Sequence, residues 1–576
     1  YTWVSGNTGV VTLTSPGTFS TLTSIPEEPR SMFVNTGGIS SGVTIDNCGI
    51  INTVSNPHNH GFLYIRGNSG LKDSRIINNK AHVTDFGIYV VGTTGSSMEH
   101  VEIHGNDFVN TLVTDREYGW RIKDLGGGIR VSVDTSTDIH IDMNSVQNFS
   151  LILQTAEVFA SGDTVSDVPT HLSNNTYGGT NSFYVSVGIN SVVTGNRFTS
   201  YGGGVLDVGI NSSVEANIIS TTSGSTTTIA GQGTRLSGNV VEGLIVKKNC
   251  KIDGNHIDKG LLISSDEHNT GTIVTGNYIG EVSSTGYSVV VTGTINNAVF
   301  DGNSMKKGFH NPYDESTFTA TGNTFGGVVT ITGYDYTFAD NIVFGAAVLG
   351  VRSSSGSASI VGNEFRSGLA VPAPSQNIRI GNNTITGNLT LTGGDGSHTT
   401  HTIVGNRVTG DAIVEVANST IGNNIVDGSM NVGDLLTFPL DLITGNRIGT
   451  NLVSGPGCHL TGNYVMGTTT AGNGSLLTGN FLSGQVTVGT DCIVTGNGFG
   501  VGLTAGSRCL ISGNNVALDI DITGSTGCSV IGNSFTNLLP AAGDPDPVTP
   551  VIGNRVVPGG KIFGASPGGG SILGNH

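Results

Sequence analysis

Apolar and polar positions alternate along most of this chain in short bursts, and the bursts recur around a Gly-Asn pair. Ile273-Val-Thr-Gly-Asn277, Leu460-Thr-Gly-Asn463 and Ile493-Val-Thr-Gly-Asn497 show the unit. Aligned on the asparagine, twenty positions fit: Asn196, Asn217, Asn239, Asn255, Asn277, Asn303, Asn323, Asn341, Asn363, Asn383, Asn406, Asn423, Asn446, Asn463, Asn480, Asn497, Asn514, Asn533, Asn554 and Asn575. Steps run from 16 to 26 residues, with four consecutive steps of 17. The residue three before the asparagine is apolar in 19 of 20 cases, Thr420 being the exception, and the residue two after is apolar wherever the chain continues. The residue just before is Gly in 17, and the one just after varies freely. A period of two on both sides of a corner is a strand-turn-strand unit, with the apolar side chains inward and the variable ones outward.

One such coil cannot bury its own apolar face, whereas stacked coils can, each pairing its backbone with the coils before and after. The spacing therefore predicts an all-β parallel solenoid of about 20 residues per coil, with three short strands in the tightest coils. The asparagine belongs at a corner, where it can take left-handed backbone angles and bond to its equivalent one coil away. Cys250, Cys458, Cys492, Cys509 and Cys528 each lie five residues before a repeat asparagine and share the inward parity, so they are expected as small core residues; Cys48 falls outside the set.

The Thr-Gly-Asn-x-Phe/Ile coils resemble the right-handed parallel β-helix superfamily, which includes pectate-lyase-like enzymes, NosD-like repeat proteins and phage tailspikes. The resemblance runs over residues 40 to 576. It implies the hand of the winding and leaves the activity open, because this fold hosts many functions. The Arg-rich and Asp-rich lyase motifs of the pectate-lyase-like enzymes are not visible. Along the chain, residues 1–40 read as entry strands, 41–190 as an irregular solenoid with insertions, 191–535 as the regular solenoid, and 536–576 as terminal coils with Pro- and Gly-rich loops. The last residues, Gly574-Asn575-His576, stop in mid-repeat. That is the pattern expected of a piece of a longer protein, of an end stacked on another subunit, or of a short cap.

Composition narrows the partners. The chain has 576 residues, 89 of them Gly, with 12% charged residues and a net charge of −17. Such a charge disfavours nucleic acid. No apolar run is long enough for a helical membrane span. Few charges with much Ser, Thr and Asn fit an extracellular or virion-surface protein. No metal or cofactor is expected, since the cysteines lack zinc-ligand spacing.

The same template reaches the N-terminal third at Val101-Glu-Ile-His-Gly-Asn106 and Ile139-His-Ile-Asp-Met-Asn144. If the apolar residues point inward, His100, Glu102 and His104 share an outward strand face, and Asp138, His140 and Asp142 share another. The 38 residues between Asn106 and Asn144 are either two coils or one coil carrying an insertion, and an insertion would make the two strands neighbours. Arg75 and His171 lie near, Tyr118 and Trp120 sit in the inserted loop, and His58, His60 and Tyr64 could join. The coils around His459, Ile493 and Leu510 present neutral residues at the equivalent positions, so this face stands out. Glu102, Asp138 and Asp142 are the candidate acid/base residues, suited to glycoside cleavage. His100, His104, His140, Tyr118, Trp120 and Arg75 are the candidate binding residues. Three functions remain in view: a non-catalytic rigid surface rod that associates with copies of itself, a polysaccharide-cleaving enzyme of the tailspike kind, and an adhesin that holds surface glycans without turnover.

Overall fold

The computed structural model describes residues 10–11, 30–35, 38–51, 60–67, 69–83, 86–92, 95–110, 127–132, 135–147, 151–154, 169–178, 183–222, 226–264, 269–282, 285–351, 356–372, 377–393, 400–416, 418–433, 441–539, 550–562 and 572–573. Among them there is no helix. The chain is a right-handed parallel β-helix of about 19 turns roughly 21 residues apart. It forms two compact units, one of residues 1–293 with 297–306, the other of residues 294–296 with 307–576.

The second unit shows the winding in its most regular form. One coil supplies the strands Leu442–Thr444, Arg447–Ile448 and Leu452–Ser454; the next supplies His459–Thr461, Tyr464–Val465 and Thr469–Ala471. Each strand pairs in parallel with its counterpart one coil on. The inward columns are those the apolar pattern foretold. Ile443, Leu460, Leu477, Val494 and Ile511 stack three residues before the asparagine, and Ile448, Val465, Leu482 and Val516 stack two after it, all at most 1% exposed.

The asparagines are the corner. Asn480 illustrates the set. Its backbone N–H and its Nδ2 both donate to Oδ1 of Asn497, at 2.9 Å each, and Nδ2 also donates to the Leu460 carbonyl at 2.8 Å. Its own Oδ1 accepts the backbone N–H and Nδ2 of Asn463, at 2.9 and 3.0 Å. The first unit repeats the arrangement, for instance from Asn175 through Asn196 to Asn217. Each amide is buried, and a buried amide left unbonded would cost more than the bonds return. The side chain thus replaces the ladder bonds that the backbone loses at the bend.

Three details depart from the expectations. The left-handed angle belongs to the residue before the asparagine, not to the asparagine: Gly462 and Gly479 have φ of 63°, and Met143 and Ala216, which carry a Cβ, still take 52° and 53°. Glycine predominates there because an L side chain resists that region. The ladder member near residue 423 is Asn424, which accepts from Asn406 and bonds on to Asn446, while Asn423 takes the left-handed position with φ 53°. The shift by one places buried Ile421 three before the asparagine and removes Thr420 as an exception. Cys48 stays outside the five-before column, and its place is one the repeat did not mark: its N–H donates to Asn79 Oδ1 at 2.9 Å, so it occupies a ladder position. Asn575 lies outside the described residues.

The column five before the asparagine is interior, as the parity of the cysteines requires. Through successive coils it reads His401, Ser419, Asp441, Cys458, Ser475, Cys492, Cys509 and Cys528, each at most 2% exposed. All six cysteines are free thiols. The Cys492, Cys509 and Cys528 thiols donate to the carbonyls of Gly472, Gly489 and Gly506, at 3.2 to 3.3 Å. Burial pushes the Cys458 thiol up to about 12, which keeps it protonated and unreactive at neutral pH. Asp441 accepts the Ser419 N–H at 2.7 Å, and burial raises its carboxyl to about 6. Burial lowers His401 to about 4.

Two predictions follow from ladder and column. Asn480→Ala removes the acceptor for two Asn463 donors and the donor to Leu460, and should destabilise the protein by about 3–5 kcal/mol, read by denaturant unfolding. The buried pair opposes itself in acid. Unfolded chain takes a proton at His401 near 6.5 and folded chain only near 4, so acid across that window favours unfolding; Asp441 takes its proton near 6 when folded and near 3.8 when unfolded, so acid favours folding. Each contribution reaches about 3 kcal/mol at full extent. Relative to the parent, Asp441→Asn should lose stability as pH falls from 6.5 to 4, and His401→Gln should gain it; parallel curves would refute both assignments.

Candidate functional site

Four strands of the first unit carry the ionisable face: β1 (Gly70–Ile77), β2 (Ser97–His104), β3 (Thr135–Asp142) and β4 (Thr170–Ser173). They pair in parallel in that order. The 38 residues from Asn106 to Asn144 are therefore one coil with an insertion, since Asn106 bonds directly to Asn144. Val101, Ile103, Ile139 and Ile141 are fully buried, which turns the residues between them outward.

One outward row runs Arg75, Glu102, His140, His171 across the four strands. Arg75 grips Glu102 with Nε at 2.7 Å and Nη2 at 3.4 Å. The guanidinium holds the Glu102 carboxyl below the usual carboxylate range, with His104 and His140 adding to the effect. His140 and His171 stack with ring centroids 4.7 Å apart and planes 12° from parallel. The next row sets His104 beside Asp142, Nδ1 to Oδ2 at 3.1 Å. Asp142 Oδ1 also accepts Ser173 Oγ at 2.8 Å and Asn174 Nδ2 at 3.3 Å.

A kink adds a third element that alternation alone conceals. His100 has φ 49° and Asp73 has φ 47°, and the two lie opposite each other in an unbroken register, between Glu99↔Lys72 and Val101↔Ser74. The left-handed residue breaks the alternation of both strands, so that two consecutive side chains face outward. Glu99 thus joins the face, with Lys72 at 3.0 Å, while His100 meets Asp73 at 3.1 Å. Glu99 was missed because its parity matches the buried residues 101 and 103. Asp138 lies opposite His100 in the same register, between Glu99↔Thr137 and Val101↔Ile139; its side chain, and all of Tyr118, Trp120 and His58, lie outside the described residues. Tyr64 does not join the face. It is 8% exposed and stacks on Tyr89 at 5.7 Å in the interior.

The structure therefore brings Arg75, His100, Glu102, His104, His140 and Asp142 onto one flat sheet face. The face is less isolated than the neutral coils suggested, because Arg235, Lys251 and Asp253 are also outward farther along the first unit. The described carboxylates are each engaged: Glu102 and Glu99 by cations, Asp142 by a histidine and two neutral donors. Among the described residues no group of three or more His, Cys, Asp or Glu converges in a way that could hold a metal ion, and no helix is long and apolar enough to cross a membrane.

No protein-family model matches the chain, and no curated protein matches it significantly. Among solved structures it is similar to a mutant of the PL6-family alginate lyase AlyGC, at 11% identity, over 95% of this chain and 97% of that one, with a TM-score of 0.22. A likeness of that size carries no argument; the parallel strand pairing described above is what makes this chain a β-solenoid.

Proposed function

We propose that this chain is a non-catalytic, rigid β-helical protein of an extracellular, virion or fibre assembly, and that the β1–β4 face is a docking surface for surface glycans. One observation carries the reading. Glu102 and Asp142, the acid/base candidates whose side chains are described, are already committed to partners on neighbouring strands. A glycosidase acid must stay protonated near its working pH, and the Arg75 guanidinium drives Glu102 the other way. Asp142 is held from three sides by His104, Ser173 and Asn174. Groups fixed this way on a flat sheet make a preorganised polar surface, able to exchange a neighbour's hydrogen bond for a sugar hydroxyl or carboxylate without rearranging the backbone. The stacked imidazoles of His140 and His171 add a planar edge. The coil stack supplies rigidity, and copies of the chain are the expected partners in assembly.

Incubation with acidic and neutral polysaccharides, followed for reducing ends and for the ultraviolet absorbance of unsaturated products, should show no turnover. Sizing by light scattering at several concentrations should show association. Glu102→Gln and Asp142→Asn should weaken glycan retention while changing stability by less than about 1 kcal/mol, as expected of exposed ion pairs. Turnover by the parent that either substitution abolishes would replace this reading with a polysaccharide-cleaving enzyme.

A further inference from the structure

One residue past the ladder asparagine, an outward row in the second unit runs Ile425, Arg447, Tyr464, Phe481, Gly498, Asn515 on successive coils. Tyr464 and Phe481 stack, with centroids 5.3 Å apart and planes 10° from parallel, yet stay 39% and 50% exposed. Tyr464 therefore covers one face of the Phe481 ring. The other face looks toward Gly498, where a Cβ would lie 3.3 Å from Phe481 Cδ2. Gly498 is not in the left-handed region, so its backbone does not demand glycine. What the missing side chain does is leave the ring face bare. The next outward position on that coil is Gly500, where a Cβ would come within 2.6 Å of the Ser483 carbonyl. The coil beyond Phe481 thus has no side chain at either outward site, and Asn515 bounds the notch on the following coil. Two coil steps span roughly 9–10 Å, room for one saturated ring between Phe481 and Asn515.

The chemistry around the notch is hydroxyl-rich and uncharged. Thr478, Thr495 and Ser512 line the far side of the corner in one row, with Ser512 Oγ 3.2 Å from Thr495 Oγ1. Of the two arginines between residues 441 and 539, Arg508 is paired with Asp491 at 2.6 Å, and Arg447 stands behind Tyr464, two coils from Phe481 and on the side away from Gly498. An anionic sugar would find no cation within the notch, whereas a neutral one matches it in charge.

We propose that Phe481, backed by Tyr464 and fronted by Gly498, is a stacking platform for a neutral pyranose unit. The sugar sets its apolar C–H face on the ring, and its hydroxyls reach the Asn515 amide and the Thr478 and Thr495 hydroxyls. The site lies in the second unit and shares no residue with the β1–β4 face, so each stands or falls alone.

Affinity electrophoresis of the full chain tests it, in gels holding dextran, mixed-linkage β-glucan or galactomannan, with alginate and polygalacturonate as acidic comparators. At least one neutral polymer should retard the parent. Phe481→Ala, which deletes the platform, and Gly498→Tyr, which fills the notch, should each weaken that retardation by about tenfold, with thermal unfolding confirming that both are folded. Glu102→Gln should leave it unchanged. The proposal is overturned if no neutral polymer retards the parent, or if folded Phe481→Ala is retarded as strongly as the parent. It is equally overturned if Phe481→Ala abolishes concentration-dependent self-association in sedimentation while leaving gel mobility unaltered, since the patch would then belong to a second copy of the chain.

Discussion

The constraint on which everything else depends is the hydrogen-bonding demand of a buried bend. A backbone turning sharply inside a stack loses its ladder partners where water cannot replace them. One asparagine per coil meets that demand by donating twice to its successor and once to a carbonyl of the coil behind. Once those bonds fix the corner, the residues three before and two after have only one direction in which to point. The hydrophobic columns are thus a consequence of the corner as much as a cause of the fold. The same phase puts the column five before the asparagine inside, where it holds thiols, hydroxyls, a carboxyl and an imidazole, and where burial pushes Asp441 and His401 toward their uncharged forms.

The ionisable face arises where that regularity is relaxed. An insertion between Asn106 and Asn144 leaves the ladder unbroken, because Asn106 still bonds Asn144. A left-handed kink shared by Asp73 and His100 then places one more outward residue per coil on the face. The solenoid accepts both because each is settled between corners, and the next asparagine restores the phase. Variation is cheap on the outward rows and expensive at the bends, which is why chemistry of quite different kinds, an ion-pair array in one unit and an aromatic stack in the other, can sit on one repeating scaffold.

Much of this was legible in the sequence, for a physical reason: a period-two pattern locked to a recurring amide has few alternative solutions. The inward columns, the interior cysteines and the adjacency of the Glu102 and His140 strands all follow from parity plus an insertion. Three things escaped. Asn423 and Asn424 are adjacent, and only the bonds to Asn406 and Asn446 tell which is the ladder member. Glu99 has an inward parity that a kink reverses, and no residue type announces that kink when His100 rather than glycine takes the positive φ. The Phe481 notch depends on what Gly498 lacks, and in a chain with 89 glycines one more carries no signal.

The amide column is also a one-way structure. In the regular coils Oδ1 receives from the coil before it, and Nδ2 hands on to the coil after it. A coil just completed holds two N–H groups that only a coil not yet wound can satisfy. A nascent polypeptide emerging from its N-terminus would therefore carry at its growing edge a pair of waiting donors, a template that recruits the next carbonyl oxygen and sets the pitch of winding as synthesis proceeds.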